Sequence, residues 1–376
     1  MSTGRCCAQI RALLFLNSNA MSGTSSDGRP QATQVSAGES VMVRRIVAER
    51  GAHVSAILRE NDGMRPHRSS LTAVIVTVCL AGSVGVAAGQ MERPATQPGR
   101  MVVTPDWLAA HVEDDNLTLL HVGTVRGSYD AGHLPGARYV ALSDLVVERQ
   151  GLPNELPPAA HLVALFEKLG VGNAGPIVIY GDDKGLFAAR LFFTLDYLGH
   201  GDRAMLLDGG LDRWTRENRA LSAESRPVSP RPFTPRLNPN VVAALPAVRD
   251  ISWAVRRDRA SGWALLDARP DAQFTGGEAG QGVSRPGHIP GAASFFWERA
   301  LVSPDDPVLR PVVELQKLMA EAGAPPPTRV VTYCRTGVQA SFAYFVARYL
   351  GYDVKLYDGS FLEWSRAADT EIAQGK

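Results

Sequence analysis

Cysteine is scarce in this sequence: four residues in 376, at Cys6, Cys7, Cys79 and Cys334. No two of them form a Cys-x-x-Cys pair, so the ligand spacing of a zinc site is missing. An excess of charge of one sign is missing too. The net charge is +1 at pH 7, which argues against a dedicated nucleic-acid binder. Long hydrophobic runs are almost absent. The one candidate, Leu71 to Ala88, is eighteen residues counted generously and contains glycine and serine, which is short for a stable membrane span. What remains is ordinary for a globular protein, 45% hydrophobic and 20% charged, and long enough for two domains.

The first hundred residues read differently from the rest. Residues 1–63 are rich in Ser, Gly, Ala and Arg and show no sustained periodicity; they read as a non-native or disordered extension ahead of a start at Met64. From Met64 a basic opening, Met-Arg-Pro-His-Arg, leads into the apolar run and a small-residue exit at Val86-Ala87-Ala88. That order matches a secretory signal peptide over residues 64–88, cleaved near Ala88, with a periplasmic or secreted product that keeps no membrane segment. Cys334 is then the only cysteine left in the mature chain. A lone thiol in an exported protein forms no disulfide scaffold, so it is either a packed hydrophobe or a reactive group.

From residue 101 the chain is one pattern written twice. Ala131-Gly-His-Leu-Pro-Gly-Ala137 returns as Pro286-Gly-His-Ile-Pro-Gly-Ala292, and Ile177-Val-Ile-Tyr180 returns as Val330-Val-Thr-Tyr333. Tyr180 lies 47 residues after His133, and Tyr333 lies 45 after His288. Each half then carries an apolar helical pattern ending at Leu198 or Leu350, and closes on Asp208-Gly-Gly-Leu-Asp-Arg-Trp214 or Asp358-Gly-Ser-Phe-Leu-Glu-Trp364. Strands are expected at Leu117–Val122, Ile177–Tyr180, Ala204–Leu207, Leu265–Asp267, Val330–Tyr333 and Val354–Tyr357. Helices are expected at Ala159–Leu169, Leu186–Leu198, Leu315–Ala322 and Ala340–Leu350, with Thr104-Pro105 as a further helix start. Strands alternating with helices give an α/β fold of two domains, each a mostly parallel sheet with helices on both faces. The boundaries read as 101–222 and 247–372. Residues 223–246 hold six prolines and read as a semi-rigid connector.

The chemistry concentrates after the strand Arg329–Tyr333, where Cys334-Arg-Thr-Gly-Val-Gln-Ala340 leads into a helix. A cysteine there sits among backbone N–H groups with no helical partner, whose dipoles favour a thiolate and bind anions. Arg335 adds a full charge that can grip an oxyanion. Gly337 lets the loop curl so that the N–H groups of Thr336, Gly337 and Val338 converge. The bland alternative is a core thiol, but the first half carries Gly181 at the corresponding point, so the fold does not require sulfur there. His133 and His288 read as turn residues bonded to their own loops, with Asp182, Asp183 and His133 as candidates to line the cleft between halves.

These features together resemble the rhodanese domain, and their tandem arrangement is similar to the thiosulfate and 3-mercaptopyruvate sulfurtransferases, whose C-terminal domain alone keeps the cysteine. The resemblance covers roughly residues 101–370 and includes Asp267-Ala-Arg269. It implies double displacement: Cys334 takes sulfur from a small-molecule donor as a persulfide and passes it to a thiophilic acceptor such as cyanide, with no metal or organic cofactor. Many members carry a donor-binding arginine four residues after the Asp-x-Arg arginine. Gln273 stands there in this chain, leaving Arg269 and Arg285 as the nearby alternatives. In the first half Val122-Gly-Thr124 replaces Asp-x-Arg, as expected of a domain without catalysis.

Three other readings compete. Cysteine phosphatases use a similar cradle but need an arginine where this chain has Ala340. A 3-mercaptopyruvate enzyme is expected to have Gly or Ser directly after the cysteine; Arg335 instead favours the doubly charged thiosulfate, while Thr336 adds nothing either way. A non-catalytic sulfur-carrier or interaction module is the third, since fold does not fix function.

Overall fold

The β-branched and apolar runs of the first repeat become neighbouring strands of one parallel sheet. In the computed structural model, which describes residues 101–375, seven strands belong to this half. They are β1 (Val102–Val103), β2 (Thr118–Gly123), β3 (Arg138–Ala141), β4 (Val147–Arg149), β5 (Leu152–Glu155), β6 (Ile177–Gly181) and β7 (Ala204–Leu207). The second half repeats them as β8 (Val242–Ala243), β9 (Trp263–Asp267), β10 (Ala293–Ser294), β11 (Leu301–Ser303), β12 (Asp306–Leu309), β13 (Arg329–Tyr333) and β14 (Val354–Tyr357). The first sheet runs β1-β7-β6-β2-β3 and the second β8-β14-β13-β9-β10, so corresponding strands hold corresponding places. Every pair in both sheets is parallel. The remaining strands form an antiparallel hairpin in each half, β4–β5 and β11–β12. The leader reading, the extension before it, and Cys6, Cys7 and Cys79 lie outside the described residues.

Ten helices accompany the described strands. The first half has α1 (Pro105–His111), α2 (Arg126–Ala131), α3 (Ala159–Lys168), α4 (Leu186–Tyr197) and α5 (Gly210–Arg216). The second has α6 (Leu245–Arg257), α7 (Asp271–Thr275), α8 (Val312–Glu321), α9 (Val338–Tyr349) and α10 (Ser360–Arg366). Thr104 caps α1 by accepting the Trp107 N–H, with Pro105 in the first turn. Among the described residues no helix is long and apolar enough to cross a membrane.

The connector is shorter than its prolines imply. It contains no regular element through Asn238, but Val242 then pairs with Leu356 and joins the second sheet. Pro246 lies in the first turn of α6, where a missing N–H costs nothing because no carbonyl waits for it. At the far end Ala373 bridges to His288, as Ser222 bridges to His133 in the first half.

The two halves meet along α4 and α9. Phe192 stacks edge-on against Phe345 and Phe193 against Tyr344, all fully buried. Each such ring contributes roughly 1.5–3 kcal/mol relative to exposure. Asp196 on α4 accepts from Tyr344 at 2.5 Å and from Arg348 at 2.9 Å, which satisfies the carboxylate in this otherwise apolar contact. Contacts of this kind fuse the two sheets' inner faces into one core cluster that includes Cys334.

Candidate active site

Cys334 follows the last residue of β13 and is 1% exposed. Its sulfur accepts the Gly337 N–H at 3.1 Å. Gly337 precedes α9 with φ +90°, a left-handed conformation that glycine adopts without strain. A Cβ at this residue would also lie 2.9 Å from Asp358 Oδ1. The loop is thus curled over its own sulfur, with its turn pressed against Asp358. On its other side the α10 corner holds it: Ser360 Oγ accepts the Cys334 N–H at 3.2 Å, and the N–H groups of Phe361 and Leu362 donate to the Cys334 and Arg335 carbonyls.

The residues around the loop separate into two groups. Arg335 and Gln273 flank Gly280: the position of its absent Cβ lies 3.2 Å from Arg335 Cδ and 3.3 Å from Gln273 Oε1. Arg335 donates to the Gln281 carbonyl at 3.0 Å, and the buried Gln273 Oε1 has no hydrogen-bond partner. Thr336 accepts from Asn154 of the other half at 2.9 Å, and Val338 opens α9.

Arg269 and Arg285 are committed elsewhere. Arg269 is fully buried, donates twice from Nε to Asp267 and once from Nη2, and reaches the Gly287 carbonyl with Nη2 as well. Its guanidinium carbon stands 4.0 Å over the Phe361 ring, and only Nη1 lacks a partner. Burial opposes its charge, but Asp267 outweighs this and raises its pKa above the ordinary value, with smaller help from Tyr333 and Cys334. Arg285 donates to the carbonyls of Trp364, Ser365, Ala367 and Thr370 and to the Thr370 hydroxyl, so it closes the C-terminal end of α10. The sequence offered both as donor contacts because it shows charge and proximity but not which groups already hold that charge.

His133, His288 and Asp182 take partners within their own halves. His133 and His288 bond the Tyr129 and Phe274 carbonyls through Nδ1 and stack on those same rings. Burial lowers the His288 pKa below its ordinary value. Asp182 turns inward to His121 at 3.0 Å and to Ser128 at 2.9 Å. Burial opposes its charge, but the bonds from His121 and Ser128 prevail and hold its carboxyl below the ordinary value. The first half's loop is one residue longer than the cysteine loop: Gly181 ends β6, and Asp182, Asp183 and Lys184 precede the left-handed Gly185. Lys184 crosses to Glu298 at 3.0 Å.

Comparison with known proteins agrees with this geometry. The Rhodanese-like domain family matches the chain twice, over residues 104–217 and 250–367. The chain belongs to the rhodanese family. A thiosulfate sulfurtransferase of Pseudomonas aeruginosa is 33% identical over 277 residues, covering 72% of this chain and 96% of that protein. The sulfur carrier protein TtuD of Thermus thermophilus is 32% identical over 289 residues, covering 73% and 97%. Among solved structures, SseA of Escherichia coli, described as a 3-mercaptopyruvate sulfotransferase, superposes with a TM-score of 0.60 at 25% identity, covering 69% of this chain and 98% of that one. This tandem rhodanese is a sulfurtransferase.

Its site also uses residues that the repeat motifs did not single out. Arg190, Asn154 and Leu156 come from the half without the cysteine and all reach the loop or Asp358. The one signal in the sequence was a lone arginine inside an apolar helix, Ala188-Ala-Arg-Leu-Phe192.

Proposed function

We propose that this rhodanese transfers the outer sulfur of thiosulfate to a thiophilic small molecule through a persulfide on Cys334. In the first step the thiolate attacks that sulfur, a new S–S bond forms to Sγ, and the S–S bond of thiosulfate breaks as sulfite leaves with the electron pair. In the second step an acceptor such as cyanide attacks the terminal sulfur of the persulfide. The bond to Sγ breaks and the thiolate returns with its electrons. Electrons balance without a redox partner or metal.

The observation that carries the proposal is the Gly337 N–H held 3.1 Å from Sγ at the N-terminus of α9. This fixed N–H dipole, together with the N-terminus of α9, favours the anionic form of the sulfur, which is both nucleophile and leaving group in this cycle. The thiosulfate donor is supported by Arg335 beside the cysteine and by the relatives of that name. Gln273 stands where many members carry a second arginine, with its Oε1 against Gly280. Export through the 64–88 leader belongs to the same proposal, supported by its basic start, apolar centre and small-residue exit.

Intact mass and peptide mapping after thiosulfate treatment test the persulfide. Wild type is expected to gain one sulfur on the Cys334 peptide, and Cys334→Ser is expected to gain none and to lose turnover with its fold intact. Sulfur on another residue, or turnover retained in Cys334→Ser, overturns the assignment.

A further inference from the structure

Asp358 closes the second repeat just as Asp208 closes the first, and each accepts a backbone N–H from the other half's hairpin region: Leu156 to Asp358 at 2.6 Å, Leu309 to Asp208 at 3.0 Å. Their cationic partners break the symmetry. Asp208 is held by Arg213 of its own half at 2.8 Å. Asp358 is held at 2.8 Å by Arg190, which projects from α4 of the half that lacks the cysteine. Counting from the first residues of α4 and α9, the second half carries Phe342 where the first carries Arg190, so this arginine is not part of the repeated scaffold.

Arg190 is fully buried, and its second nitrogen donates to the Asn154 carbonyl at 2.7 Å. Asn154 in turn donates to Thr336 in the cysteine loop at 2.9 Å. Both members of the ion pair meet that loop at one residue. The position of an absent Cβ on Gly337 lies 2.9 Å from Asp358 Oδ1 and 3.3 Å from Arg190 Nη1, while the Gly337 N–H points at the sulfur. A carboxylate there, unpaired, would oppose an anionic sulfur through a low-dielectric medium.

Resting on the reading of Cys334 as the sulfur carrier, we infer that Arg190 is a positioning residue contributed by the non-cysteine domain. It pins Asp358 under Gly337 and cancels its charge, so that the Gly337 N–H acts on the sulfur unopposed. Among the described residues, the other charged groups around Cys334 and Asp358 are Arg335 in the loop, Arg269 paired with Asp267, and Arg149, Glu155 and Glu363 near Asp358. None of the cations among them bonds Asp358. The second domain therefore depends on the first for more than packing.

The test is the pH profile of Cys334 alkylation by iodoacetamide in the full chain, followed on the Cys334 peptide by mass spectrometry. Arg190→Met is expected to move the midpoint of the profile upward by about one unit, which slows alkylation about tenfold at pH values below the wild-type midpoint. Arg190→Met combined with Asp358→Asn is expected to return the midpoint toward wild type, and Asp358→Asn alone to move it below. A purely structural role would lower activity without moving the midpoint and would not be rescued by the double variant. A folded Arg190→Met protein with the wild-type midpoint, or a double variant as displaced as the single one, overturns the inference. If Arg190→Met does not fold, Asp358→Asn decides: a lowered midpoint supports the inference and an unchanged one overturns it. Alkylation needs no sulfur donor, so this result stands apart from turnover in Cys334→Ser, which tests the persulfide itself.

Discussion

Tyr180 and Tyr333 do the same work in the two halves of the chain: each ends its strand's apolar run and turns its hydroxyl to accept the N–H two bonds into the repeated turn, Leu134 at 3.0 Å and Ile289 at 3.2 Å. The tyrosines tie the Gly-His-x-Pro-Gly turn to the central strand in both domains. The residue that follows differs. Glycine closes the first strand, where a Cβ would strike the Val122 carbonyl oxygen at 2.4 Å, whereas cysteine follows the second. A duplicated scaffold thus presents its chemistry once.

Donor choice is expected to follow Arg335. Thiosulfate carries two negative charges and mercaptopyruvate one carboxylate, so Arg335→Gly should reduce kcat/KM for thiosulfate by about 1–3 kcal/mol and reduce that for mercaptopyruvate less. The ratio of the two constants is the quantity to measure. An unchanged ratio would remove the charge argument for thiosulfate.

Arg269 is expected to behave as a structural residue. Arg269→Gln leaves the fully buried Asp267 without its bidentate partner, which should cost about 3–5 kcal/mol of stability. Urea unfolding would measure it. A near-neutral effect on stability with a large rise in the KM for donor would instead place Arg269 in substrate binding.

Glu155 gives the protein a pH-dependent stability. Its carboxyl is half-buried and is pushed from 4.5 to about 7, first by burial and then by the carboxylates of Asp358 and Glu363. The folded protein therefore holds this proton more tightly than the unfolded chain does. The resulting stabilisation is present in full below pH 4.5 and is lost as pH rises to about 7. Glu155→Gln, which is never charged, should raise the thermal midpoint at pH 8 relative to wild type and flatten its slope between those two values. A variant with the wild-type slope would show that another group titrates.

The leader reading predicts a mature N-terminus near Gly89 or Gln90 in protein recovered from outside the cytoplasm of its native host. N-terminal sequencing of that material checks it. Cytoplasmic protein beginning at Met1 would contradict it.

The sequence by itself determined the duplication, the alternation of strands with helices in each half and the place of the cysteine loop. These depend on local patterning: β-branched runs, helical spacing, and a Cys between a strand and a Gly-ended turn. Only the tertiary structure shows which charges already hold partners. Arg269, Arg285 and Arg335 look alike in the chain, yet a carboxylate two residues away absorbs the first and the end of α10 absorbs the second. Arg190 is 144 residues before Cys334 and in the other domain, and its role exists only because α4 packs on α9 and brings it to Asp358. Periodicity reports which face of an element is buried. It cannot report which buried charge meets which, because that pairing is made between elements that the chain joins only after it has folded.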